Sequence, residues 1–383
     1  MDDPVTASGP DLSVVVSTYE RPMHLHRCLA SLSNQTLDKR RFEIIVADDG
    51  SRDETHDVVE TFRRSIDIPV TFSTQKNLGF RKARAVNRAL HLIRSPYVVL
   101  TDGDCIFPPD HLDTHLRVRQ QRVVWAGNSV FLDRETSEAI DVQSVNSGTW
   151  QELVPKRLPR AQMLVHQKAK FYQAIRHGTK PKLVGNNIGV WRNQLLSVNG
   201  FDQSYQGWGC EDDDLGLRLR LRKNRIKSLL GHTHAFHLWH PVHTTKPDKW
   251  DKGPNVSRFL RPLRLSHCLD GMTAKPFKHL CVQVHAESSF SDVADQIRSR
   301  FTPQQSDHVE LEILFESSAR RFSGNAECNV LVAKKLSGIP RALGRQTGLL
   351  VQLDDNLADS KSIADQVIAK VRQGMGIEPH EEA

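Results

Sequence analysis

Short, unbroken apolar runs alternate with longer stretches of helical apolar spacing over the first hundred residues. LSVVV at 12–16 and FEIIVA at 42–47 have the β-branched character of strands buried on both faces, and MHLHRCLASLSNQ between them spaces its apolar residues at helical intervals. The alternation continues with a helix at about 53–65, a strand VTFST at 70–74, a helix KARAVNRALHLI at 82–93 and a strand YVVLTD at 97–102. It predicts an α/β domain with a mostly parallel sheet and helices on both faces. Ligands of such sheets sit beyond the carboxyl ends of the strands. The residues to watch are therefore Ser17-Thr18-Tyr19, Asp48-Asp49-Gly50-Ser51 and Asp102-Gly103-Asp104.

The segment 140–182 is polar and rich in Lys, Arg and Gln, which suggests helices and loops lying over the sheet. Pro, Gly and charge accumulate at 244–262, as at a domain boundary. Beyond it LCVQVH, VELEILF, VLVAKK and GLLVQLD read as strands, and 291–301 and 361–373 as helices. The expected division is a first domain over 1–255 and a smaller α/β domain over 256–383. No internal repeat or low-complexity tract is evident.

At 383 residues and 38% hydrophobic content the chain has ample length for two globular cores. The first residues lack the basic and apolar regions of a secretory signal, and no apolar stretch is long enough to cross a bilayer. A cytoplasmic protein is expected, with peripheral attachment to the inner face of a membrane left open. Six cysteines without a CxxC spacing argue against a zinc ribbon and against a disulfide framework. A net charge of +7 could draw nucleic acid, anionic lipid or a phosphorylated substrate, and does not choose among them.

Asp102-Gly103-Asp104 ends a hydrophobic strand, where acids are often solvated turn residues. The same spacing can hold a hard divalent ion that grips a diphosphate. Asp48-Asp49-Gly50-Ser51 is good turn chemistry, and an Asp there could also accept the imide N–H of a uracil base. His232, His234, His237, His240 and His243 follow one another without the Cys or Glu partners of a closed zinc site, so one of them completing an Asp-bound ion fits better. GWGCEDDD at 207–214 sets four carboxylates before the run LGLRLRL. Helix is expected there, because Leu and Arg are good helix formers and no β-branched residue appears before Ile226. The helix dipole accounts for one or two of the acids, and a fourth adds repulsion that would raise a neighbour's pKa, as suits a general base.

Taken together, VVVSTYERP, VADDGSRDET, NLGFRKARAVNRAL and VLTDGDC resemble the nucleotide-sugar half of family 2 glycosyltransferases, which have the Rossmann-like GT-A fold. NNIGVWRNQLLSVNGFDQSYQGWGCEDDDLGLRL resembles the acceptor half shared with β-1,4-galactosyltransferases and bacterial chondroitin-type polymerases. The resemblance covers about 12–243, with the nucleotide-sugar half at about 12–105 and the acceptor half at about 106–255. It implies that Tyr19 and Asp49 hold the uracil with Ser17 beside them, and that Arg81 lies near the base and diphosphate. It further implies that Asp102 contacts ribose or sugar, and that Asp104 ligates Mn²⁺ or Mg²⁺ with His240 and, less directly matched, His237. Asn186 and Asn187 would reach the donor sugar, Trp208 would wall the sugar site, and Glu211 would bind acceptor hydroxyls. Asp212 would be the catalytic base of an inverting transfer.

The activity so implied is transfer of a hexose or N-acetylhexosamine from a UDP-sugar to a glycan or lipid-linked acceptor by a bacterial type of enzyme, with no nucleic-acid partner expected. Cys210 departs from the pattern between Gly209 and Glu211. Two other readings remain: a nucleotide-sugar pyrophosphorylase, which would want a glycine-rich loop where STYERP stands, and a non-enzymatic polyanion binder suggested by the charge.

Overall fold

Ten strands build the first part of the chain: β1 (Leu12–Thr18), β2 (Phe42–Asp48), β3 (Val70–Thr74), β4 (Tyr97–Asp102), β5 (Cys105–Ile106), β6 (Val123–Ala126), β7 (Ser129–Phe131), β8 (Ile188–Trp191), β9 (Arg225–Ser228) and β10 (Ala235–His237). The computed structural model describes residues 9–241, 246–304, 306, 308–315, 321–335, 339–354 and 359–377. The chain divides into two units, Met1–Pro254 with Asp270–Met272, and Asn255–Leu269 with Thr273–Ala383.

In the first unit a seven-stranded sheet runs in the order β3-β2-β1-β4-β8-β6-β9. β1 pairs parallel with both β2 and β4, whereas β8 runs antiparallel to β4 and to β6. Alternate side chains feed two cores. Leu12, Val14 and Val16 of β1 join Phe42, Ile44 and Val46 of β2 on one face, while Val15, Ile45 and Ala47 meet Ala83, Val86 and Ala89 of the helix Lys82–Leu90 on the other. Period-2 side chains on a sheet covered on both faces explain why these strands read as continuous apolar runs.

The strand order reverses beside β1, so the carboxyl ends of β1, β2 and β4 open onto one crevice. The antiparallel β8 starts where they end, which delivers Gly185 and Asn186 to the same edge. A second sheet of three short strands, β5-β10-β7, places His237 opposite Cys105, next to the acidic end of β4. Strands of two or three residues carry no readable alternation, so this sheet leaves no trace in the sequence pattern. The helix expected to run to 93 ends at Leu90, because the chain must enter β4 at Tyr97 and Pro96 keeps the preceding residue out of the helical region.

The acidic stretch begins a helix, Glu211–Leu221, and its entry is a turn with Gly207, Gly209 and Cys210 all at positive φ, 77°, 97° and 74°. Such values suit glycine and cost a cysteine some strain. The helix is pinned by Arg218, whose Nε donates to Asp214 Oδ2 at 2.6 Å with both side chains wholly buried. Arg218 Nη1 also reaches the carbonyls of Val198 and Gly200 at 2.6 and 2.8 Å, and the Tyr205 hydroxyl donates to Asp214 at 3.2 Å. A buried pair with this many partners holds the helix at a fixed angle to the segment before it.

In the second unit β11 (Val282–His285), β12 (Leu311–Phe315), β13 (Cys328–Ala333) and β14 (Leu349–Gln352) form a parallel sheet in chain order. The helices Ser291–Arg298 and Ser360–Met375 cover one face, where Val293, Ile297, Ala364, Val367 and Val371 meet the strands. Glu312 points into this unit fully buried and is held by His285 Nε2 at 3.1 Å and by the backbone and hydroxyl of Ser323. Among the described residues no helix is long and apolar enough to cross a membrane.

Removing Asp214 would leave Arg218 charged and buried. Asp214→Ala should therefore cost about 3–5 kcal/mol of stability, read as a lowered urea midpoint, and an unchanged midpoint would show that the pair does not anchor the helix.

Candidate active site

A cavity of about 580 Å³ lies beyond the carboxyl ends of β1, β2 and β4. Ser17 and Tyr19 from the end of β1, Asp49 after β2 and Asp102 and Asp104 at the end of β4 line it. Trp208, Glu211 and Asp212 of the acidic stretch, with His237 and His240, complete the expected residues it gathers.

The two adjacent acids after β2 have separate tasks. Asp48 accepts from the Gly50 and Ser51 amides, from the Ser51 hydroxyl at 2.5 Å and from the Thr74 hydroxyl at 2.6 Å, and so holds the turn. Asp49 faces the cavity and accepts from the Arg81 amide at 2.7 Å and Gln75 Nε2 at 2.6 Å. Burial pushes the Asp49 carboxyl above its usual range against the pull of these donors. The Tyr19 hydroxyl accepts from Asn77 at 2.9 Å, which fixes the ring at the same end.

Two expected donor residues lie elsewhere. The Arg81 side chain does not line the cavity. Its guanidinium donates to the Phe80 carbonyl at 3.2 Å, and it serves Asp49 through its backbone. Asn187, just before β8, is fully buried behind the cavity with its Oδ1 3.1 Å from His115 Nε2. The cavity position belongs to Asn186, whose carbonyl accepts from the Thr101 hydroxyl at 2.9 Å.

Sequence reasoning missed Lys82 and Arg21. Lys82 Nζ sits 2.7 Å from Asp102 Oδ1, and Ser17 Oγ donates to that same oxygen at 2.6 Å. Burial lowers the Lys82 pKa, yet the carboxylates of Asp102, Asp212 and Glu211 together more than offset it and raise the pKa well above the usual value. A lysine at the first position of a helix opposes the dipole, and that misfit was the available signal. Arg21 Nη1 lies 3.2 Å from Asp104 Oδ2.

Asp104 gathers His237 Nε2 at 3.3 Å and His240 Nε2 at 3.1 Å, and ligand atoms of the three residues lie within 4.8 Å of one another. The Leu238 amide donates to the Asp104 carbonyl at 2.9 Å, so the small sheet itself sets this approach. Burial opposes ionisation of Asp104, but His240, His237 and Arg21 outweigh it and hold the carboxyl well below the usual range. One carboxylate and two imidazoles that converge while leaving other positions open fit a divalent ion such as Mn²⁺. His232 instead packs edge-on to Trp125, and His243 lies outside the described residues.

The four acids at the helix start part company. Asp213 pairs with Lys182 at 2.6 Å, and Asp214 is the buried partner of Arg218. Both have specific partners beyond the helix dipole, which alone had been expected to explain them. Glu211 is pushed up to about 8 by burial and by the Asp212 charge, against the pull of Lys82. Asp212 is also raised, first by burial, while Lys82 and the Gly185 amide favour its ionised form. Gly185 N donates to Asp212 Oδ2 at 2.8 Å, and the buried Oδ1 has no hydrogen-bond partner. A Cβ on Gly185 would stand 2.6 Å from that oxygen, so only glycine allows the approach. Cys210 is no nucleophile, since burial and then Asp213 and Glu211 push its thiol up to about 11. Around the opening, Trp208, Trp239 and Phe131 present partly exposed aromatic faces of the kind that carry sugar rings.

Residues 13–160 match the model for glycosyl transferase family 2, and residues 153–241 match that for the N-terminal domain of galactosyltransferase. The first part of the chain is thus similar to family 2 glycosyltransferases, and the part that follows it to galactosyltransferases. Validoxylamine A glucosyltransferase of Streptomyces hygroscopicus subsp. limoneus is 29% identical over 237 residues, 56% of this chain and 49% of its own. Chondroitin synthase of Escherichia coli is 25% identical over 261 residues, 64% of this chain and 37% of its own. The chain thus spans about half, or less, of the length of these relatives. A solved structure of Staphylococcus aureus TarS 1–349 in complex with UDP-GlcNAc overlays with a TM-score of 0.45 at 16% identity, covering 69% of this chain and 68% of that one.

The Glu211 value carries a sign. An acid whose folded pKa is raised from 4.5 to about 8 stabilises the fold at low pH, and that stability is lost as pH rises through this window. Lys82→Met removes the cation that limits the rise. The urea midpoint of the variant should fall increasingly below wild type as pH rises above about 8, where wild-type Glu211 has ionised and the variant's has not, whereas a pH-independent difference would show that Lys82 does not hold these carboxylates.

Proposed function

We propose that the enzyme is an inverting, metal-dependent transferase that moves a hexose or N-acetylhexosamine from a UDP-sugar to a hydroxyl of a glycan or lipid-linked acceptor. The observation that carries this reading is the free Oδ1 of Asp212, buried in the same cavity as Asp49 and the Asp104, His237 and His240 set. Relatives named for glucosyl transfer and for chondroitin synthesis support a sugar acceptor chemistry.

Asp49 and Tyr19 close one end of the cavity and would take the uracil, the carboxylate accepting its imide N–H. Asp102, held by Ser17 and Lys82, would accept from ribose or sugar hydroxyls. Asp104, His237 and His240 would hold the ion, which when bound offsets the charge growing on the departing diphosphate. Asp212 Oδ1 takes the proton of the acceptor hydroxyl. The acceptor oxygen bonds to the anomeric carbon on the face opposite the diphosphate, the bond from that carbon to the diphosphate oxygen breaks with its electron pair, and UDP leaves. Lys82 and the Gly185 amide keep Asp212 ionised, while Glu211, with its raised pKa, carries a proton at neutral pH and can donate it to an acceptor oxygen.

A panel of UDP-hexoses and UDP-N-acetylhexosamines, assayed for UDP release with acceptor glycans, tests the reading. Turnover should require Mn²⁺ or Mg²⁺, and Asp212→Asn should lower it by about 10²–10⁴ with the fold intact. Wild-type turnover in this variant would remove Asp212 from the reaction. Asp104→Asn should weaken Mn²⁺ binding by roughly tenfold or more, measured by the paramagnetic resonance signal of free Mn²⁺. Because the base acts ionised, kcat/KM should fall as pH drops through the raised Asp212 pKa. Lys82→Met should move that fall to higher pH, and an unmoved profile would separate Lys82 from the base.

A further inference from the structure

The helix Arg157–Ala174 is amphipathic in the reverse sense. Its inward face is polar: Gln162 reaches the Ser129 carbonyl at 3.4 Å, His166 Nδ1 lies 3.0 Å from Ser228 Oγ, and Gln173 reaches the Ile226 carbonyl at 3.3 Å. Its outward face carries an exposed apolar stripe among polar and basic residues. Leu164, Phe171 and, just past its end, Ile175 follow one another at seven and then four residues, on one side of the helix, and are 76%, 60% and 53% exposed. Hydrophobic burial normally gives the opposite arrangement, so this stripe is not there to fill the core.

The charge around the stripe is one-sided. From Leu153 to Lys182 the chain has no acidic residue, while Lys156, Arg157, Arg160, Lys168, Lys170, Arg176, Lys180 and Lys182 supply eight basic ones. Lys182 is committed to Asp213, and the other seven form no ion pair among the described residues. Helical spacing places Arg160 and Lys168 on either side of the Leu164 and Phe171 side chains.

We propose that this helix docks the enzyme on an anionic membrane surface, with Leu164, Phe171 and Ile175 entering the boundary between headgroups and acyl chains and the flanking basic side chains meeting lipid phosphates. A free polyanion would be met by the charges alone and gives no reason to expose the apolar stripe. The combination of both is what an interfacial helix uses. Only nine residues separate Ile175 from Gly185, the residue that holds Asp212, so the docked surface leads towards the transfer site. That consequence for a lipid-linked acceptor rests on the function proposed above, whereas docking itself does not.

The test is co-sedimentation of the full chain with vesicles of phosphatidylcholine alone and with about 30% phosphatidylglycerol. Wild type should bind the anionic vesicles strongly and the neutral ones weakly, with binding falling as salt rises from about 0.1 M to about 0.5 M. Leu164→Ser with Phe171→Ser and Ile175→Ser should reduce anionic binding roughly tenfold or more while the Tm stays at the wild-type value. Arg160→Glu with Lys168→Glu should cost about fivefold or more for each charge. Three results would overturn the proposal: no wild-type binding to anionic vesicles, binding that survives the serine variant, or a wild-type dimer that this variant makes monomeric. UDP release in the absence of vesicles is measured on the same samples, so that a wild type that turns over but binds no anionic vesicles refutes the surface and leaves the transferase reading standing.

Discussion

Everything in the catalytic unit depends on one buried balance of charge, in which Lys82 stands among Asp102, Glu211 and Asp212. Three carboxylates in a low-dielectric cavity repel one another and lose hydration, and without a cation the fold would protonate them. One lysine cannot neutralise three acids. The remaining imbalance appears as a Glu211 pushed up to about 8 and a raised Asp212. The fold tolerates this strain because the helix that carries both acids is tied down one turn later by the buried Asp214 and Arg218 pair. Asp214 and Asp212 are two residues apart on this helix, so the anchor's rigidity reaches the Asp212 carboxylate directly.

Strand direction does the rest. Parallel strands β1, β2 and β4 point their polar ends into one crevice, and the antiparallel β8 contributes its start to the same edge. The short β10 then carries His237 back to Asp104 over a separation of more than a hundred residues. One end of the cavity is therefore built from the first hundred residues, and the other from segments that reach it only through an antiparallel reversal and a three-stranded patch.

This division explains what could be read in advance. The longer strands and helices of both units were legible because long, buried elements impose strong periodicity. That Asp49, Asp104 and Asp212 line one cavity was legible because their motifs are local. Asn187 is buried where Asn186 lines the cavity, and in the turn before β8 two identical side chains do not reveal which of them faces inward. Arg81 was preferred to Lys82 for a similar reason: a basic pair at a helix entry does not say which member turns inward. Lys82 and Arg21 answer carboxylates far away in the chain, a relation that only the folded sheet creates.

The four consecutive acids show how far such adjacency misleads. On a helix each residue is turned about 100° from the last, so neighbours in sequence need not share surroundings. Glu211 and Asp212 face the cavity, Asp213 faces Lys182 on the loop before β8, and Asp214 faces inward to Arg218 one turn ahead. The apparent excess of negative charge is thus distributed over two ion pairs and one cation-poor cavity. Among the buried carboxylate oxygens of the described residues, the one without a hydrogen-bond partner is Asp212 Oδ1. A dipole effect treats all first-turn acids alike, whereas partner geometry makes three of them structural or auxiliary and leaves one able to accept a proton.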